Sequence, residues 1–182
     1  MKNLKTLIAA AAFAAVSFGP SVASAADVSH APTMITMDGL FTGDFGSGFG
    51  TKHAGDTFSD KFTFDVTGSP VEFSASLTST ANKVNGGLNI SSFNLFTSTG
   101  TLIGTGTGTV GQVDRFSVSN DVLGVGSYYL QVGGKVLSTS GARFDGNISL
   151  SPVPEPETYA MMLAGLGLVG FAARRRKAAK QA

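Results

Sequence analysis

The sequence predicts an all-β body, built as a single antiparallel β-sandwich. Three observations carry that prediction. Between its two ends the chain shows no long stretch with helical period. Several short segments instead alternate apolar and polar residues, the period of a half-buried strand. Glycine-rich turns separate those segments, as in sandwiches.

The elements follow in order. A first strand is expected over 33–41. In "FSDKFTFDV", Phe58, Asp60, Phe62, Phe64 and Val66 share one face, and Ser59, Lys61, Thr63 and Asp65 share the other. Gly68-Ser69-Pro70 reads as a turn. In "VEFSASL", Val71, Phe73, Ala75 and Leu77 alternate with Glu72, Ser74 and Ser76. Further strands are expected at 87–97, 113–119, 126–133 and 143–150. The alternation of 87–97 breaks near Ser91-Ser92, where a bulge would carry Phe93 and Leu95 onto the core face. "GDFGSGFG" (Gly43 to Gly50) reads as a mobile loop, and "GTGTGTVG" (Gly104 to Gly111) as a flexible hairpin or edge strand.

Composition sets the means of stabilisation. The chain has no cysteine, so no disulfide can hold it. Its phenylalanines must supply most of the core, each worth roughly 1.5–3 kcal/mol when fully buried. Asp60 stands out on an apolar face, and a buried carboxylate must be paired or hydrogen-bonded. Two roles are open to it: capping the N–H groups of a neighbouring loop, or ligating calcium with Asp56 or another loop acid.

The net charge of +1 conceals an uneven distribution. Residues 26–153 hold six cations against ten acids, a body of −4. The remaining cations sit at the two ends. A body without a basic stripe argues against nucleic-acid binding.

The N-terminal end reads as a secretory signal over residues 1–25. Lys2 and Lys5 form a positive start, Leu7 to Phe18 an uncharged apolar run, and Ala23-Ser24-Ala25 a small-residue site. Cleavage is expected between Ala25 and Ala26, which makes the Sec translocon and signal peptidase partners of the precursor.

The C-terminal end reads "VPEPETYAMMLAGLGLVGFAARRRK". It divides into a Pro-rich extended motif (152–158), a short transmembrane helix (159–173) and a cytoplasmic basic tail (174–182), after a sandwich body over 26–151. Prolines at 152, 154 and 156 fix their own φ, lack an N–H, and push the preceding residues toward extended geometry. Such a segment is expected to stay out of helix and sheet. As a helix, 159–173 spans roughly 22 Å, against a bilayer core of about 30 Å. The cations Arg174, Arg175, Arg176 and Lys177 can snorkel to extend its reach and should stay in the cytoplasm. The body then lies across the membrane. A plain permanent anchor is the competing reading.

Pro154-Glu155-Pro156, the short apolar helix and the arginine cluster together resemble the PEP-CTERM sorting signal. That resemblance implies a Gram-negative bacterium that makes exopolysaccharide. It also implies an exosortase, a membrane cysteine transpeptidase that would cut near Pro154-Glu155-Pro156 and release or transfer the body to the cell surface or biofilm matrix. The catalysis would belong to that partner. Phe58-x-Asp60-x-Phe62 further resembles the FxDxF subgroup of PEP-CTERM proteins. "VLGVGSYYLQVGG" (Val122 to Gly134) is similar to a strand of those proteins and of bacterial pre-peptidase C-terminal sandwiches. This implies a jelly-roll-like or pre-peptidase C-terminal-like sandwich, with Tyr128 or Tyr129 packed inward.

Nothing else in the sequence points to chemistry. His30 and His53 have no His, Cys or Glu at ligand spacing. No G-x-S-x-G elbow occurs, and the glycine runs lack a P-loop Lys or a βαβ context. The expectation is therefore a non-enzymatic, exported surface or exopolysaccharide-matrix protein without metal or cofactor. The alternative is a carbohydrate-binding sandwich held permanently by its C-terminal helix, which would need aromatic rings exposed on one sheet face.

Overall fold

The structure, a computed structural model, describes residues 24–39, 41–80, 87–153 and 156–179. Most of the expected signal peptide, including Ala23, lies outside the described residues, as do Pro154 and Glu155. The described residues form eleven strands and one helix. In chain order these are β1 (Thr33–Met34), β2 (Met37–Asp38), β3 (Thr42–Phe49), β4 (Thr57–Val66), β5 (Val71–Thr80), β6 (Leu88–Thr97), β7 (Leu102–Thr105), β8 (Thr107–Thr109), β9 (Arg115–Leu123), β10 (Gly126–Val136), β11 (Ala142–Pro152) and α1 (Pro156–Ala179).

Two sheets face each other. One has the order β1-β4-β10-β6-β7, the other β2-β3-β11-β5-β9-β8. Most connections cross between the sheets, so strands adjacent in sequence face one another across the core. Pairing is antiparallel apart from β1 with β4 and an isolated bridge between Asp27 and Thr57.

The period-two reading holds where it was clearest. Along β4, Phe58, Asp60, Phe62, Phe64 and Val66 are all buried, and β5 alternates strictly between buried and exposed. In β6 the register against β10 slips between Gly133 and Gly134, leaving Ser91 without a partner. The slip buries Phe93 and Leu95 beside Ile90, as the broken alternation predicts.

Two expectations are corrected. The segment 33–41 forms only the two short strands β1 and β2. The glycine run 43–50, read as a loop, is instead strand β3 through Phe49. Two of its glycines sit where neighbours crowd the strand. A Cβ on Gly43 would lie 2.6 Å from Ile35 Cγ2, and one on Gly46 2.7 Å from the Phe144 carbonyl oxygen. Phe45, between these two glycines, and Phe49 turn inward. The second glycine run is an edge, as expected, and it changes sheets midway. Gly106 links β7 to β8 with its N–H on the Phe93 carbonyl at 2.7 Å. A Cβ there would meet that oxygen at 2.2 Å.

Phenylalanines form the contact between the layers. Eight of the eleven in the body are buried. Phe64 of β4 stacks on Phe73 of β5 at 5.4 Å, and Phe62 meets Phe144 of β11 edge-on at 5.9 Å. Tyr128 turns inward onto Phe64 at 5.8 Å and donates its hydroxyl to the Gly124 carbonyl at 2.9 Å.

Asp114, which sequence pattern did not single out, is fully buried. Its carboxylate accepts the N–H of Ile90 at 2.8 Å and of Gly111 at 2.9 Å. Its own N–H donates to Ser79 Oγ at 2.9 Å. One side chain thus ties β6 of one sheet to the entrance of β9 in the other. Asp114→Ala should strand two N–H groups and cost about 2 kcal/mol or more. Phe73→Ala should cost roughly 3–5 kcal/mol through the cavity it leaves. Chemical denaturation of both variants checks these values.

Candidate functional site

The C-terminal segment leaves the sandwich from β11, a strand with neighbours on both sides. Ser151 pairs with Glu72 and Pro152 with Val71. Val153 N–H reaches the Pro70 carbonyl at 3.2 Å. Gly68 at φ 81° makes the β4–β5 turn that presents that carbonyl. Pro152 fits this strand because β3 has already ended beside it. The last β3 pairing is Ser149 with Thr42, and Leu150 N–H then goes to Phe41. The missing proline N–H leaves no ladder bond unmade. Beside the exit lies a cleft of about 340 Å³, with Met37, Phe41, Val71, Leu150 and Pro152 in its lining.

Helix α1 starts at Pro156. Proline is well placed there, since the first helical N–H has no partner within the helix. Glu157 in the first turn complements the positive end of the helix dipole. The helix does not stop at Ala173. It runs through Arg174, Arg175, Arg176 and Lys177 to Ala179. Alanine, arginine and lysine all favour helix, and cations suit its C-terminal end.

The Pro-rich segment is therefore shorter than the sequence suggests. Its first residues are absorbed by β11 and its last by α1, leaving residues 154 and 155, which lie outside the described residues, between them.

The apolar residues of α1 stay uncovered. Met161, Leu163, Leu168 and Val169 are each more than 60% exposed, so these side chains are not covered by the described part of the sandwich. Its apolar residues surround the axis without a separate polar side. A helix apolar all round needs surroundings other than water. Among the described residues, however, no helix is long and apolar enough to cross a membrane.

Residues 152–177 match the family model of the PEP-CTERM protein-sorting motif. The PEP-CTERM motif begins at the last residue of β11 and takes in all but the end of α1, so motif and sandwich meet at Pro152. It identifies the tail as a sorting signal. The PEP-CTERM signal implies export, a membrane-anchored precursor sorted to the cell surface, and an exosortase as processing partner. The chain has no match among curated proteins. Among solved structures it is similar to the pre-peptidase C-terminal domain of a collagenase from Bacillus anthracis, with 13% identity and a TM-score of 0.38 over 69% of this chain and 94% of that one. It is also similar to PliG of Aeromonas hydrophila, a periplasmic inhibitor of g-type lysozyme, with 17% identity and a TM-score of 0.40 over 69% of this chain and 100% of that one. Likenesses of this degree carry no function to the present chain.

The remaining sequence candidates lie away from the PEP-CTERM segment. Phe58 and Phe62 are buried core residues flanking Asp60. Asp60 takes a capping role: Oδ1 accepts the N–H of His30 at 2.6 Å, and Oδ2 lies 3.0 Å from His30 Nδ1. Both oxygens are engaged by one residue of the N-terminal segment. Asp56 is likewise engaged, by Ala26 N–H at 2.9 Å and His53 Nδ1 at 3.1 Å. Among the described residues, no serine hydroxyl hydrogen-bonds either histidine and no cluster of three acids or histidines could hold a metal ion.

One aromatic pair stands on the outer face of the β4–β10–β6 sheet. Phe96 stacks on Tyr129 at 5.0 Å, and Lys61 Nζ sits 4.9 Å from the centre of the same tyrosine ring. β10 lies between β6 and β4, so Phe96 and Lys61 approach Tyr129 from opposite sides. The Tyr129 ring is thus already in contact with Phe96 and Lys61.

Two carboxylates, the half-buried Asp56 and the exposed Asp27, are held below the ordinary range. Asp56 is lowered first by the Ala26 N–H and then by His53. Asp27 is lowered by the hydroxyl and then the N–H of Ser29. A depressed folded pKa contributes stability above the unfolded value, near 3.9, which is lost as pH falls through the folded value. Unfolding followed by circular dichroism should therefore show stability declining below about pH 4. Asp56→Asn with Asp27→Asn should flatten that limb.

Proposed function

We propose that this chain is an exported, non-enzymatic surface or exopolysaccharide-matrix protein, delivered by its C-terminal signal as the substrate of an exosortase. One observation carries the reading: among the described residues, no side chain of the matched sorting segment, 152–177, belongs to the buried core, and the apolar residues of its helix stay exposed. The body folds on the far side of the membrane once the signal peptide has been removed. Residues 159–173 then hold the precursor at the inner membrane, with Arg174 to Lys177 snorkelling on the cytoplasmic side to make up for the helix's short apolar span. The exosortase cuts near Pro154-Glu155-Pro156, and the body passes to the cell surface or biofilm matrix.

The placement of the motif supports this order of events. Among the described residues every core side chain lies before Pro152, so loss of the segment after Val153 leaves that core intact. The product keeps its fold. The Phe58-x-Asp60-x-Phe62 pattern, which fits the FxDxF subgroup, serves folding in this reading. A permanently anchored sugar-binding module is less well supported, because Tyr129 already packs against Phe96 and Lys61.

Mass spectrometry of the exported protein, from a host with and without its exosortase, tests the proposal. Peptides containing Arg174 to Lys177 should be missing from the mature form and retained without the exosortase. Their presence on the exported form of the normal host would establish a plain anchor and overturn the proposal. Pro154→Ala with Pro156→Ala should leave most of the protein in the membrane fraction, while unchanged release would count against recognition at this motif.

A further inference from the structure

The N-terminal edge of the sandwich begins at the residue where the expected signal-peptidase cut falls. Ala26 donates its N–H to Asp56 Oδ1 at 2.9 Å and accepts the Thr57 N–H on its carbonyl at 2.9 Å. Val28 N–H then reaches the Thr57 carbonyl at 2.9 Å, Ser59 N–H reaches Ser29 Oγ at 2.7 Å, and Ile35 N–H reaches the Thr63 carbonyl at 2.8 Å. Residues 26–35 are thus laid along β4 from their first member onward. Among the described residues, no hydrogen bond joins Ser24 or Ala25 to the body.

The acceptor is firmly placed. Asp56 N–H donates to the His53 carbonyl at 3.0 Å, closing the turn. The Asp56 carbonyl accepts Val136 N–H at 2.9 Å, and Gly55 N–H reaches the Val136 carbonyl at 2.8 Å. The turn is therefore fastened to the end of β10. The second carboxylate oxygen faces His53 Nδ1, and the Asp56 side chain is only 18% exposed.

In the uncut chain, position 26 presents a single amide N–H. Hydrolysis of the Ala25–Ala26 peptide bond consumes one water. It leaves a carboxylate on Ala25 and an amine on Ala26, which takes up a proton and carries a full positive charge at neutral pH. We propose that signal-peptide removal creates an N-terminal ammonium which Asp56 binds as an ion pair, so that maturation fastens the first segment of the body onto β4. The inference rests on the export reading given above and on cleavage after Ala25.

The pair has a distinguishing signature. The acid limb of Asp56 exists in cut and uncut chains alike. An ammonium paired in the folded state has a raised pKa, so its contribution is complete below about 7.7–8.0, the ordinary value, and is lost as pH rises through the folded value. An amide shows no such limb. The charged or titrating groups around the site are Asp56 and His53 of the turn, Asp27 next in the chain, and Lys135, which pairs with Thr57 from β10.

The exported protein is first sequenced from its N-terminus. A start other than Ala26 would overturn the cleavage reading, and the ion pair with it. With Ala26 as the start, acylation of the α-amine at pH 7.5 should be roughly threefold slower than in Asp56→Asn. Thermal stability should also fall between pH 7 and 9.5. A variant with Gly-Ser inserted between Ala25 and Ala26, exported in the same way, should lack that alkaline fall while keeping the acid limb. Equal acylation rates in wild type and Asp56→Asn, or the same alkaline fall in the extended variant, would overturn the ion pair and leave the export reading standing.

Discussion

Aromatic packing between two sheets is the constraint on which this molecule depends. With no cysteine in the chain, nothing covalent closes the sandwich. Phe58, Phe62 and Phe64 from one layer meet Phe144 and Phe73 from the other, and Phe45 joins Phe62 to Phe93. The glycines of β3 and the bulge of β6 make sense only in that setting. Of the first, Gly43 and Gly46 let the backbone beside the inward Phe45 sit close to Ile35 and to β11. The second brings Phe93 and Leu95 to the correct face. Buried carboxylates then fix the ends: Asp60 holds the N-terminal segment, and Asp114 bridges the layers.

How much of this could be read from the sequence depended on the range of the signal. β4 and β5 were legible because a half-buried strand writes its burial into every second residue. The bulge in β6 was legible for the same reason, as a phase break. β3 was not, because glycine scores as a loop former and the crowding that demands it comes from Ile35 and from Phe144 in β11, almost a hundred residues further on. Asp60 could be recognised as an anomaly, but its partner could not. His30 lies thirty positions away, and no local pattern joins them. Asp114 gave no warning at all, since it sits at the start of a strand, where an acid is unremarkable in sequence.

The sorting signal was the most legible part because it is read along the chain, and its match covers the residues where the motif was found. Its structural boundaries were less clear. Proline geometry suggested a stiff free segment over 152–158, yet Pro152 closes a strand and Pro156 opens a helix. Both placements obey the same rule. A missing N–H is tolerated where no partner is required, and the end of a half-covered strand and the first turn of a helix are two such places.

β11 lies between β3 and β5, so a load applied through the tail would not peel away an edge. It would pull lengthwise on an interior strand whose hydrogen-bonded ladders run crosswise to the pull, to β3 from Ala142 to Ser149 and to β5 from Arg143 to Pro152. Those bonds must yield together rather than one after another. A precursor tugged at its membrane tether during secretion would carry the force in the geometry that resists it best.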